Sequence, residues 1–165
     1  MSEVRGTRWL DADQQSSWRS FVVGITLLID RLDADLQHDF GLSLTEYEIL
    51  VRLSERPDQQ MRMAQLADAL AHSRSRVTHT VTRMQKAGLV TRSSSPEDGR
   101  GIVCSLTDQG YALLAEAAHV HVTGVRDYLV DLVSPEDFAA LGRVMDSVSD
   151  RLIACHPEMD IRPTS

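Results

Sequence analysis

The chain has 165 residues, enough for one domain or for one domain with added helices, so a multi-domain machine is excluded. Its 42% apolar and 25% charged residues give the composition of a soluble globule with a packed core. Taken over the whole chain, the formal net charge of −7 argues against a general binder of nucleic acid or of an anionic membrane. That exclusion holds only if the charge is evenly spread.

Residues 1–10 carry Glu3, Arg5 and Arg8 without the apolar segment of a signal peptide and read as a flexible N-terminus. From Asp11 to about Asp39, apolar residues recur at spacings of three and four (Trp18, Phe21, Val22, Ile25, Leu28, Ile29, Leu32, Leu36), which predicts a long helix. Its longest apolar run, Phe21 to Ile29, is about half a membrane span, so no membrane role is expected. Gly41 breaks the pattern. Thr45 and Glu48 have the spacing of a capping box and open a second helix with Tyr47, Leu50, Val51 and Leu53 inward, closed by Pro57. A short helix over Met63 to Leu70 turns Met63, Leu66, Ala67 and Leu70 inward. Ala71 and His72 make a tight connection, and Ser73 caps a helix that runs to Ala87 and stops at Gly88.

The period then changes to two. Leu89 to Ser93 and Ile102 to Leu106 read as short strands around a turn-rich tip, Ser94 to Gly101. Thr107 with Asp108 restarts a helix expected to reach about Val133. Ser134, Pro135, Glu136 and Asp137 open a last helix to about Cys155, with Leu141, Val144, Met145, Val148 and Leu152 as its inward stripe. Residues 156–165 read as a flexible tail. Two helices joined by a tight turn and followed by a hairpin predict a winged helix-turn-helix in a mainly α (α+β) chain. That module, residues 41–107, has its recognition helix at 73–87 and its wing at 89–106. A winged core needs only about 60 to 70 residues. The flanking helices, 11–40 and 108–155, are therefore expected to pair with a second copy about a two-fold axis.

The charge is not evenly spread. Residues 60–106 hold Arg62, Arg74, Arg76, Arg83, Lys86, Arg92 and Arg100 against Asp68, Glu97 and Asp98, a local charge of +4 on a body of −11. Such asymmetry focuses positive potential on one face. On the helix capped by Ser73, the core stripe is Val77, Val81 and Met84. At about 100° per residue, Ser75, His79, Thr82 and Lys86 fall opposite Val77, with Arg76, Thr78 and Arg83 on the shoulders. Hydroxyl, imidazole and cation are the groups that bond base edges and phosphates in a major groove. Arg74 and Arg76 also sit in the first helical turn, where the macrodipole disfavours cations, while a helix start carrying two guanidinium groups suits a phosphate.

The hairpin and the start of the next helix, Asp98-Gly99-Arg100 through Ile102 to Leu106-Thr107-Asp108-Gln109-Gly110, resemble the MarR family of bacterial transcription regulators, with its D-x-R, short apolar strand and L-T-x-x-G. Leu66-Ala67, Ser73 to Thr78 and Lys86 to Val90 are similar to that family's helix-turn-helix. The resemblance implies a cytoplasmic, nucleoid-associated homodimer that binds a pseudo-palindromic operator on double-stranded DNA, acts most often as a repressor, and is released by a small-molecule effector. It implies that Arg100 enters the minor groove and that Asp98 holds the wing's shape. It further implies an effector cleft for an aromatic acid or a purine, for which Trp18, Arg19, His38, Tyr47 and Arg52 are the candidates, with Trp9 near them.

No cofactor is required by this reading. Cys104 alternates with Ile102 and Leu106 and reads as a small buried hydrophobe, and with Cys155 it forms no CxxC, in keeping with a reducing compartment. His119 and His121 are two apart on a helix and point about 200° from each other, so they cannot share a metal ion. No metal ligand is assigned. The absence of HExxH, a P-loop, GxGxxG and GxSxG argues against an enzyme. The alternatives are a ligand- or zinc-responsive variant of the same regulator, and a winged-helix module that binds protein without DNA.

Overall fold

The computed structural model describes residues 6–95, 99 and 101–153. Helix α1 (Ala12–Phe40) begins at Asp11, whose carboxylate accepts from the Gln14 N–H while the Gln14 side chain accepts from the Asp11 N–H. Gly41 ends it at φ 63°, a left-handed conformation that closes the helix by donating its N–H to Gln37. Only Leu32 and Leu36, near the C-terminal end, are buried.

Helix α2 (Leu44–Ser54) is opened by a capping box that differs from the expected one. Ser43 and Glu46 form it, not Thr45 and Glu48. Ser43-Leu44-Thr45-Glu46 satisfies the same spacing two residues earlier, and the earlier start lets Leu44 and Glu46 turn inward. Strand β1 (Gln60–Arg62), helix α3 (Met63–Ala69), helix α4 (Arg74–Lys86), strand β2 (Val90–Ser94) and strand β3 (Ile102–Leu106) complete the winged module. The sheet is antiparallel in the order β1-β3-β2, with Cys104 of β3 opposite Met61 on one side and Arg92 on the other. The third strand was not expected. Three residues with one apolar position carry no legible period, and β1 forms because the outer edge of β3 would otherwise leave its backbone groups unpaired.

Helix α5 (Asp108–Tyr128) stops five residues short of the expected end. Leu129 leaves helical geometry at φ −143°, ψ −65°, and a single 3-10 turn, Val130–Leu132, follows. Helix α6 (Pro135–Ile153) has Ser134 as its cap, with the hydroxyl accepting from the Asp137 N–H.

The core lies between α2, α3, α4, the sheet and the first half of α5, where Leu36, Leu50, Leu53, Leu66, Val77, Val81, Met84 and Cys104 are fully enclosed. Each such side chain is worth about 1.5–3 kcal/mol in transfer from water. Thr107 ties this core to α5: its hydroxyl donates to the carbonyl groups of Gly88 and Leu89 and accepts from the Gly110 N–H. Gly110 is required there, because any Cβ would collide with the Leu89 carbonyl. This is the physical content of the L-T-x-x-G motif. Cys104 is buried as expected, and burial pushes its thiol up to about 12 against the opposing influence of Arg92. Ile102, in contrast, points outward.

Two expected inward stripes are not covered within the protomer. No residue of α6 is buried, and Val144, Val148 and Leu152 stand open. Along α1 before its buried C-terminal end, Trp18 is 56% exposed, with Val22, Ile25 and Ile29 also open to solvent. Trp18 is thus not a core aromatic of the single chain. Its ring contact is with Phe21 on the same helix.

Candidate nucleic-acid interface

The recognition helix is α4. The turn before it is made tight by Ala71 in the left-handed region at φ 52°, and the Ser73 hydroxyl accepts from the Arg76 N–H. Val77, Thr80, Val81 and Met84 face the core. Thr80 has no place in the apolar reading of the helix; its hydroxyl donates to the Arg76 carbonyl, which removes the cost of burying it. Ser73, Arg74, Ser75, Arg76, Thr78, His79, Arg83 and Lys86 are all exposed, and Thr82 is half-buried. Thr82 donates its hydroxyl proton to the Thr78 carbonyl and keeps acceptor lone pairs for an incoming donor. The nine sequence-selected residues therefore share one outer surface.

Arg83 differs from the other cations of this surface. Its Nε donates to Glu46 Oε1 at 2.8 Å, across 37 positions of chain. Burial pushes the Glu46 carboxyl up, but the hydrogen bonds from Arg83 and Ser43 outweigh it and the net shift is downward, so it is ionised at neutral pH. Among the described residues, Arg74, Arg76 and Lys86 form no ion pair with an acidic side chain. A second tie joins α4 to the wing: Arg92 Nε of β2 donates to Gln85 Oε1 at 2.7 Å. Sequence reasoning missed Glu46 and Gln85 and assigned Arg92 no role. For Glu46 the signal existed in the S-x-x-E of residues 43–46, whereas nothing local links positions 85 and 92.

Where the wing strands give way to their loop, the Ser95 N–H donates to the Gly101 carbonyl at 2.7 Å and the Gly99 N–H to the Ser95 carbonyl. Asp98 and Arg100, expected to shape the wing and to reach the minor groove, lie outside the described residues, as does Cys155.

The expected effector residues are not brought together in one protomer. Trp18 and His38 are twenty residues apart on α1, hence about 30 Å. Trp9 and Arg19 are exposed, and His38 is exposed with its ring 2.7 Å from the Asp39 carboxylate. Tyr47 is buried on α2 against His121. Arg52 lies 3.6 Å from Glu55. The unbroken length of α1, with Tyr47 and Arg52 on the separate helix α2, keeps the set dispersed. A cavity of about 370 Å³ between α1 and α5 has Asp35, Asp39, His119, Thr123, Asp127 and Tyr128 on its walls and none of the expected residues. His119 opens into it while His121 stacks on Tyr47, so the two rings diverge. Among the described residues, no group of three or more His, Cys, Asp or Glu side chains could hold a metal ion, and no helix is long and apolar enough to cross a membrane.

Residues 40–101, the span from the end of α1 to the wing, match the MarR family. The chain is 32% identical over 124 residues to the HTH-type transcriptional regulator PecS of Dickeya dadantii, covering 73% of this chain and 75% of that protein. Its fold superposes on Sco3205, a MarR family transcriptional regulator of Streptomyces coelicolor crystallised in complex with DNA, with a TM-score of 0.87 and 41% identity over 90% of this chain and 92% of that one. AbsC, another MarR family regulator of Streptomyces coelicolor, gives a TM-score of 0.85 and 40% identity over 90% and 99% of the two chains. With this identity and coverage, and a winged helix-turn-helix that superposes on both structures, the chain belongs to the MarR family of transcriptional regulators.

Proposed function

We propose that this regulator is a homodimeric repressor that binds a pseudo-palindromic operator on double-stranded DNA through α4 and the wing. The observation that carries the reading is the outer surface of α4. Arg74, Arg76 and Lys86, exposed and in no direct ion pair among the described residues, stand together with His79 and four hydroxyl groups on a helix whose other face is locked into the core. Sco3205, a relative with 41% identity, is crystallised with DNA. In this reading Ser73, Arg74, Ser75, Arg76, Thr78, His79, Thr82, Arg83 and Lys86 contact bases and phosphates of the major groove. Arg100 reaches the minor groove and Asp98 holds the wing's shape.

The open apolar stripes of α1 and α6 support the dimer. Isolated surface leucines need no explanation, but two helices each carrying a continuous apolar face call for a covering partner. Half-sites about one helical turn apart follow from the two-fold geometry. The protein works in the cytoplasm at the nucleoid, without catalysis and without a required cofactor. A small aromatic acid or a purine is the expected releasing effector, bound elsewhere than in a cleft built from Trp18, Arg19, His38, Tyr47 and Arg52 of one protomer.

Unbiased selection of bound duplexes from a random pool tests the reading. Enrichment of a palindrome is the expected outcome; a pool with no enriched sequence, or one without two-fold symmetry, overturns it. The recovered site then serves to screen aromatic acids and purines for release.

A further inference from the structure

Glu46 is the only buried charged residue among the described residues, at 6% exposure. Both of its oxygens are in use. Oε2 accepts from the Ser43 N–H and from the Ser43 hydroxyl, each at 2.8 Å, and Oε1 accepts from Arg83 Nε at 2.8 Å. The next backbone N–H, that of Leu44, donates to Asp33 Oδ1 of α1 at 2.8 Å. A path of short hydrogen bonds thus runs from α1 through the start of α2 to the recognition helix.

Arg83 meets this path with one edge of its guanidinium. The side chain is 58% exposed, and its terminal nitrogens bond no described residue. A guanidinium is a rigid planar fork, so fixing Nε fixes the direction in which the two terminal nitrogens point. Arg76, His79 and Lys86 lie seven and four residues before Arg83 and three after it, on the same flank of α4. A carboxylate placed beside a DNA-binding surface repels phosphate, so its presence there calls for a compensating role.

We propose that Glu46 is a positioning residue for DNA binding: it holds Arg83 by Nε so that the terminal nitrogens meet one backbone phosphate in a direction set before the DNA arrives. The proposal rests on the reading of α4 as the DNA-binding element. Its consequence has the opposite sign to simple electrostatics. Removing the Glu46 charge would tighten binding if repulsion alone mattered. If Glu46 orients Arg83, removal weakens binding, because ordering a free arginine at the interface costs affinity, roughly 2- to 10-fold for one side chain.

The test uses the full-length chain, the operator duplex recovered by selection and an unrelated duplex, with affinity measured by fluorescence anisotropy at several salt concentrations. Glu46→Gln keeps a residue able to close the capping box, and thermal melting in the same buffer confirms that the variant is folded. Glu46→Gln is expected to weaken operator binding by that factor. Arg83→Lys, which keeps the charge but has no Nε to be held, is expected to weaken it similarly, with the double variant no weaker than the worse single one. Arg83→Gln is expected to lower the salt slope by about one ion. Unchanged or tighter binding by Glu46→Gln overturns the proposal. Should that variant not fold, Arg83→Lys decides alone, and wild-type affinity in it overturns the proposal. Failure of the wild type to bind any duplex would instead overturn the DNA-binding reading.

Discussion

Tyr47 of α2 and His121 of α5 stack with ring centroids 4.6 Å apart and planes tilted by 35°. This contact joins the winged module to the helix that leads away from it. His121 Nδ1 is buried without a hydrogen-bond partner among the described residues. Burial lowers the imidazole pKa. The folded protein therefore keeps the ring neutral, while the unfolded chain takes up a proton near the ordinary value of about 6.5. Stability from this contact is complete above that value and is lost as pH falls towards the depressed one. His121→Phe keeps the stack and removes the titration. Melting followed from pH 7.5 to pH 5.5 is expected to fall less steeply for this variant than for the wild type, and equal slopes would reject the assignment.

Gly110 carries a second prediction. A Cβ at this position meets the Leu89 carbonyl and the Leu106 side chain, and backbone cannot move aside as a flexible side-chain tip can. Gly110→Ala is expected to destabilise the fold by about 1–3 kcal/mol, the range for overpacking a tight contact, as read from urea unfolding. A midpoint equal to that of the wild type would show that α5 can retreat from Leu89 and Leu106 without cost.

On the recognition surface, Arg76 combines exposure with a place in the first turn of α4. Arg76→Ala is expected to weaken binding on operator and unrelated duplexes alike and to lower the salt slope by about one, as for a phosphate contact. Arg100→Ala is expected to weaken binding chiefly on operators whose flanks are A·T-rich, where a narrow minor groove favours an inserted cation. Binding titrations on flank-substituted duplexes separate the two, and flank-independent loss in Arg100→Ala would remove the minor-groove role.

The open stripe of α6 gives the fourth prediction. Val148→Asp introduces a charge where the single protomer is already exposed, so the winged module should keep its far-ultraviolet circular dichroism. If α6 covers a second copy, light scattering should give the mass of one chain for the variant and of two for the wild type. A dimeric variant would place the dimer contact elsewhere.

Much of the winged module was legible in the residues. The Ser73 cap, the Gly88 stop, the Val77-Val81-Met84 stripe and the Leu106-Thr107-x-x-Gly110 run are local signals, because a cap or a period involves residues within one or two helical turns. The +4 and −11 division of charge was likewise readable from composition by segment. The misplaced capping box and the overlong α5 were errors of register within elements correctly recognised.

What only the tertiary structure decided involves partners far apart in the chain or absent from it. Strand β1 exists because β3 offers it an edge. Thr80 can be buried because the Arg76 backbone carbonyl accepts a hydrogen bond from its hydroxyl. Glu46 meets Arg83 across 37 positions and His121 meets Tyr47 across the α2–α5 boundary. The same apolar period that marks Val77 as core marks Val148 and Trp18, yet these two are exposed in the protomer. Periodicity states which face of a helix avoids water; which surface covers that face depends on distant chain segments, or on a second molecule, that no local spacing encodes.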